Sequence, residues 1–306
     1  MNTITLNSGF EMPVLGLGTW KAPEGQAGAA VAYALKLGYK HIDCAWIYRN
    51  EGEIGRYMKE VFNSGEVKRE DIFITSKLWN SYHRPEYVIR GVKETLSNLQ
   101  LDYLDLYLMH WGIATPPGEA EPLDENGYLI SDKVPLSETW HAMENLVKEG
   151  LVKSIGVSNF TAPLLIDLSA HSNITPAVNQ IELHPYLTQQ GLVDLCQYKG
   201  IAVTAYSPLG NPGRYGEEVP LNDPKIKEIS TQTGKTPSQV LIRWAIQRGT
   251  IVIPKSVTPS RIEENFHVFD FELSPDQISV ISALNRNHRF TNPYSWWKVP
   301  YFNYFN

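Results

Sequence analysis

The chain reads as an α/β protein, a (β/α)8 TIM barrel with an N-terminal β-hairpin, extra helices and long loops at one face, and three observations predict this. First, short Val/Ile/Leu-rich runs alternate with helix-like segments through eight strand–helix units. The runs lack alternation, as strands of a parallel sheet buried on both faces do. Second, a titratable residue stands at or just past three of these runs, namely Asp43, Lys77 and His110. Active sites of such barrels sit at the C-terminal ends of the strands. Third, the rival doubly wound dinucleotide fold needs Gly-x-Gly-x-x-Gly after its first strand. Here the segment is Gly16-Leu-Gly18-Thr-Trp-Lys21, without the third glycine, and no P-loop occurs.

Residues 3–6 and 10–14 flank the turn signal Asn7-Ser8-Gly9 and predict the hairpin. Strands are then expected at 14–18, 41–43, 72–76, 104–110, 153–157, 177–181, 202–206 and 250–253. Helices are expected at 25–37, 51–63, 84–99, 137–149, 163–170, 189–199, 223–233, 237–248, 259–266 and 274–284. Pro85 falls in a first turn, and Ser137 is the expected N-cap of its helix. Long segments interrupt the rhythm at 111–134, 209–222 and 287–306. Long loops in compact domains are usually functional, and Asn211-Pro-Gly213 supplies mobile turn chemistry. No linker or repeat divides the 306 residues, so a single domain over 1–306 is expected, with 287–306 as a tail.

The balance of 27 Lys and Arg against 33 Asp and Glu, net -6, excludes a general nucleic-acid binder. No apolar run approaches the roughly 18–20 residues of a membrane helix, and the opening segment lacks the features of a signal peptide. Cys44 and Cys196 have neither metal spacing nor the numbers of a disulfide framework. The sequons at Asn159 and Asn173 matter only in a secreted chain. A cytoplasmic protein with no nucleic-acid, membrane or metal partner is expected.

Asp43, Tyr48, Lys77 and His110 gain meaning as a group. Singly, they read as a loop cap, a packing tyrosine, a solvated lysine and a buried histidine. Together, an ammonium near a phenol favours phenolate and tunes an acid whose free pKa is about 10. A carboxylate would hold that ammonium in place. A neutral His110 could orient a carbonyl oxygen, and with no evident nucleophile or metal cage the set suits proton transfer to oxygen. Trp20, Trp79 and Trp111 each follow a strand and are expected to line a small-molecule pocket, with Trp46 near its mouth.

From end to end the chain resembles the aldo-keto reductases. Gly38-Tyr-Lys-His-Ile-Asp43, with Tyr48 and Asn50-Glu-Gly-Glu-Ile-Gly55, resembles that family's first signature. Gly150-Leu-Val-Lys-Ser-Ile-Gly-Val-Ser-Asn-Phe160 resembles the second and Ile253-Pro-Lys-Ser-Val257 the third. The resemblance implies an NADPH-dependent carbonyl reductase with Tyr48 as proton donor, His110 directing the carbonyl, and Lys77 and Asp43 in support. It further implies cofactor contacts from Thr19 and Trp20. Ser158, Asn159 and Gln180 would meet the carboxamide and Tyr206 would stack on the nicotinamide. Ser207, Leu209 and the loop to Asn222 would cover the pyrophosphate. Lys255, Ser256, Thr258 and Arg261 match the 2′-phosphate site, and Glu264 and Asn265 the adenine contacts. Cations and a helix start suit a 2′-phosphate, whereas a free ribose hydroxyl is usually met by a carboxylate. The tail, with Arg289-Phe290 and Asn292-Pro293, is similar to that of yeast-type xylose reductases, which makes Asn292 a candidate contact to a sugar hydroxyl. Reduction of an aldose or another small carbonyl substrate by a monomer or weak homodimer is expected. The alternative is a catalytically silent relative recruited to a structural or regulatory role.

Overall fold

The computed structural model describes residues 2–210, 218–293, 297 and 304–305. Strands β1 (Thr3–Thr5) and β2 (Glu11–Pro13) pair antiparallel, Thr3 opposite Pro13. Gly9, at φ +87°, closes their turn with its N–H on the Leu6 carbonyl. That left-handed conformation is one glycine adopts without a Cβ clash.

Eight parallel strands follow in chain order: β3 (Leu17–Gly18), β4 (His41–Asp43), β5 (Phe73–Leu78), β6 (Leu104–Met109), β7 (Val152–Ser158), β8 (Val178–Glu182), β9 (Ala202–Tyr206) and β10 (Ile251–Val252). Bridges of Leu15 to Val252 and of Gly18 to Lys255 join the first strand region to the last and close the barrel. The seam strands are shorter than expected because regular pairing is confined there. Pro254 lacks an N–H and cannot continue a ladder.

The helices are α1 (Ala27–Leu37), α2 (Glu51–Asn63), α3 (Pro85–Leu99), α4 (Leu136–Lys148), α5 (Ala162–His171), α6 (Gln190–Tyr198), α7 (Pro224–Thr233), α8 (Pro237–Gln247), α9 (Pro259–Phe266) and α10 (Pro275–Ser282). Thr236 and Ser274 form capping boxes with Gln239 and Gln277. Ser137 is not a cap. Pro135 occupies the N-cap of α4, Leu136 begins the helix, and Ser137 falls inside its first turn. None of the described helices is long and apolar enough to cross a membrane.

The strands alternate after all, because their two faces meet different surroundings. Ile42, Ile74, Tyr107, Ile155, Ile181 and Val203 belong to the large core shared with the helices. On the other face, Phe73, Leu106, Leu108, Val178 and Ile251 pack with Leu6 and Met12 of the hairpin. Asn7 donates to the carbonyls of Pro176 and Gly200, just before β8 and β9, so the hairpin closes the N-terminal end of the barrel. Polar chemistry is left to the other end.

Candidate active site

Asp43 ends β4, Lys77 is the penultimate residue of β5, and His110 follows β6 directly. Tyr48 closes a 3-10 turn (Trp46–Tyr48) four residues beyond Cys44. Adjacent strands and one turn therefore bring the four together. Lys77 is fully buried, and its Nζ donates to Asp43 Oδ1 at 2.7 Å, to the Cys44 carbonyl at 2.7 Å and to Tyr48 Oη at 3.3 Å. All three ammonium protons are accounted for. Asp43 Oδ2 accepts from Gln180 Nε2 at 2.7 Å, so both carboxylate oxygens are engaged. A buried ion pair bonded in this way is costly to break, since either partner alone would be an uncompensated charge.

The Tyr48 and His110 rings lie 5.9 Å apart at 78°. Burial, and then the Lys77 charge, hold the His110 imidazole well below its usual pKa of 6.5, so it is neutral. Its Nδ1 is buried without a hydrogen-bond partner among the described residues. The expected lowering of Tyr48 is overturned. Burial first, and the Asp43 carboxylate next, push its phenol well above 10. Removing water from a phenolate outweighs the ammonium, whose charge is already committed to Asp43.

Trp79 and Trp111 flank His110, with ring centroids at 5.2 and 6.4 Å. They share an aromatic cluster with Trp46, Trp297 and Tyr304. Trp46 turns its indole N–H to Glu94 on α3, at 2.8 Å. Trp20 is half-buried beside Lys21, whose Nζ lies 5.0 Å from the ring. Asn292 lines an open polar cavity of about 830 Å³ with Gln189, Asn285, Arg289 and Phe305. That lining includes none of Tyr48, Trp79, His110 or Trp111. Tyr294, Trp296, Tyr301 and Phe302 lie outside the described residues, as does Asn211-Pro-Gly213.

A second group adjoins the first. Asn159 sits in the left-handed region at φ +63°. Its Nδ2 donates to the His110 carbonyl at 3.0 Å, and its Oδ1 accepts from Tyr206 Oη at 2.7 Å. Ser158 Oγ donates to the Gln180 carbonyl at 2.9 Å. Thr19 Oγ1 donates to the Asp43 carbonyl at 2.8 Å. Ser207 is also left-handed, at φ +50°, and its carbonyl accepts from Gly210 N. Leu209 packs against the core.

Further round the barrel, Lys255, Ser256 and Arg261 lie within three residues of the N-cap of α9. Thr258 is its N-cap and makes no side-chain bond to the first turn. Arg261 is exposed and has no ion-pair partner among the described residues. Two cations, a hydroxyl and a helix start with no side-chain cap fit a phosphate group. Asn265 is buried, while the Glu264 carboxylate accepts from Thr236 Oγ1 at 2.8 Å.

A sequence profile described as "Aldo/keto reductase family" matches residues 14–286. The chain belongs to the aldo/keto reductase family. It is 48% identical over 296 residues to human "Aldo-keto reductase family 1 member A1", covering 95% of this chain and 91% of that protein. The zebrafish "Aldo-keto reductase family 1 member A1-A" is 49% identical over 297 residues, covering 95% and 92%. The solved "Structure of the Aldose Reductase from Schistosoma japonicum" superposes with a TM-score of 0.92 at 48% identity, covering 97% of this chain and 96% of that one. Membership of this family supports reduction of a carbonyl group to an alcohol on a small-molecule substrate.

In this aldo/keto reductase several buried polar residues carry weight that sequence reasoning missed. Asn50 Nδ2 holds the Thr19 carbonyl at 2.9 Å. Glu51, buried on the outer face of the barrel wall, accepts from Ser76 Oγ at 2.6 Å, and burial pushes its carboxyl up to about 7. A Cβ on Gly55 would collide with the Asn98 carbonyl of α3. These contacts give Asn50, Glu51 and Gly55 of the first signature structural reasons to be where they are. Glu182 and His184 form a further buried pair, at 2.8 Å. Glu182 carried a signal, a titratable residue just past a strand-like run, whereas Asn50 and Glu51 stand in a polar stretch that marks neither.

Proposed function

We propose that this protein is an NADPH-dependent oxidoreductase that reduces aldehydes, aldoses or ketones to alcohols, with Tyr48 delivering the proton. One observation carries the reading. Tyr48 Oη accepts a bond from Lys77, whose other protons go to Asp43 and Cys44, so the phenolic proton is left for a substrate oxygen. The raised phenol keeps that proton through the neutral range. His110, neutral through burial, hydrogen-bonds the carbonyl oxygen and aligns it beside Tyr48, while Trp79 and Trp111 exclude water.

NADPH, when bound, supplies the hydride. Ser158, Asn159 and Gln180 are the proposed holders of its carboxamide, and Tyr206 of the ring. Thr19, Trp20, Ser207 and Leu209 are assigned to the same cofactor. Lys255, Ser256, Thr258 and Arg261 would take the 2′-phosphate, and Glu264 and Asn265 the adenine. The substrate would meet Trp20, Trp79, Trp111 and Asn292 within a single cytoplasmic domain over 1–306, with 287–306 on the substrate side, acting as a monomer or weak homodimer. Following NADPH absorbance with a panel of aldehydes, aldoses and ketones tests the reading. Consumption is expected with several, and none with any substrate would sink it. Arg261→Ala should weaken NADPH far more than NADH in binding titrations; equal losses would overturn the phosphate assignment.

A further inference from the structure

The carboxylate of Glu182 is fully buried at the C-terminal end of β8 and has no part in the proton transfer proposed above. It is nevertheless heavily bonded. Oε1 accepts from His184 Nε2 at 2.8 Å and from the backbone N–H of Phe290 at 2.7 Å. Oε2 accepts from the N–H of Thr291 at 2.8 Å, and Arg289 Nη1 lies 4.0 Å away. The Glu182 carbonyl accepts from Gln189 Nε2 at 2.6 Å, and Gln189 Oε1 accepts from Arg289 Nη2 at 3.1 Å. A strand end, the loop after it and a segment a hundred residues further on therefore converge on one side chain.

Two consecutive backbone N–H groups on one carboxylate fix the orientation of the chain that carries them, because neither peptide can rotate without losing a bond. Burial acts to raise the carboxyl, but the His184 bond, the Arg289 charge and the Phe290 N–H outweigh it and hold it below its ordinary 4.5. His184 is itself held below 6.5 by burial, so it serves as a neutral donor. A buried ionised carboxylate is tolerated only when its lone pairs are met in this way.

Its place on the strand gives the clamp a purpose. Gln180 and Glu182 are two residues apart in β8, on the same face and about 6–7 Å apart along the strand. Gln180 holds Asp43 of the catalytic pair, and Glu182 holds the start of the C-terminal tail. That tail continues through Asn292 to Trp297 and Tyr304, whose rings lie 5.0 and 5.3 Å from Trp111. We infer that Glu182 is a positioning residue, registering the tail against the catalytic strand and so setting the outer wall of the site for substrates long enough to reach it. This rests on the carbonyl reductase reading above.

Glu182→Gln keeps the shape but turns an NH2 group toward a buried N–H, so one of the two tail amides loses its acceptor. Steady-state kinetics should show KM rising roughly ten-fold for a long polyhydroxylated aldehyde, the scale of losing one charge-assisted bond. The kcat should stay within about two-fold, and the KM of a short aliphatic aldehyde should hardly move. Hydrogen exchange at Phe290 and Thr291 should accelerate together. Unchanged exchange overturns the clamp. Accelerated exchange with no change in KM, or with an equal rise for both aldehydes, overturns the positioning role. Exchange is read without turnover, so a wild-type protein inactive on every carbonyl would sink the reductase reading, and the positioning role with it, while the exchange still tested the clamp. Should Glu182→Gln fail to fold, Gln189→Ala removes bonds from a half-buried side chain. The same split, but smaller, is then expected, and its absence counts against the proposal equally.

Discussion

At the N-terminal end of the barrel, Phe73, Leu106, Val178 and Ile251 meet Leu6 and Met12 of the hairpin in an apolar plug. At the C-terminal end, strands β5, β6 and β8 lead to Lys77, His110, Gln180 and Glu182, every one of them buried. The two ends share a backbone and differ in what a buried side chain contributes. Below, burial stabilises directly. Above, Lys77, Gln180 and Glu182 are held by specific partners that offset the loss of water, and the proposed proton donor is the group whose own proton the protein leaves uncommitted.

Substitutions at each end would break or sharpen this contrast. The largest effect is expected from Tyr48→Phe, which should lower kcat on the order of 10³-fold, as loss of a general acid does. The dissociation constant for NADPH, by fluorescence titration, should stay nearly unchanged. Retention of most of the kcat would mean that the proton comes from elsewhere. Leu106→Ala, at the plugged end, should cost about 2–5 kcal/mol in urea unfolding and leave kcat within about two-fold. A comparable loss of activity would show that the two ends are not separable.

Glu51→Gln probes the upper end through pH. The carboxyl is raised from 4.5 to about 7. Between those values the folded protein keeps a proton that the unfolded chain has released, so stability falls as pH rises through that window. The variant should therefore exceed the wild type by a few kcal/mol, on the order of 3, above about pH 8. It should match it below about pH 4.5, and denaturation curves at both pH values check this. The smallest effect concerns turnover itself. With the Tyr48 phenol pushed above 10 and the His110 imidazole below 6.5, neither group titrates between. The wild-type kcat should vary by less than about two-fold from about pH 7 to 9.5; a bell centred in that range would contradict the assigned protonation states.

Much of the upper end was legible in the sequence because a barrel places strand termini on one face, so Asp43, Lys77 and His110 could be gathered from chain position alone. The hairpin and the helices were legible for local reasons: Asn7-Ser8-Gly9, first-turn prolines and apolar periodicity. The direction of the Tyr48 shift was not, because it depends on how much water the fold removes. Nor was the grip of Gln180 on Asp43, which spans 137 residues. Trp46 could not be oriented without knowing that Glu94 stands opposite. Ser137 misled because its hydroxyl suits a cap, while the rigid Pro135 had already set the boundary.

The seam of the barrel also dictates when, during synthesis, the molecule can exist. Asn7 finds its acceptor at Gly200 only after 193 further residues have been made, and Gly16 must wait for Val252. The charged half of the site, Asp43 with Lys77, is translated early, yet the strands that seal it arrive last. A nascent chain ending before Ile251 presents two open sheet edges, the template on which strands of other molecules pair. Such contacts across long stretches of chain slow folding, so the growing polypeptide stays open to that pairing until its final strand emerges.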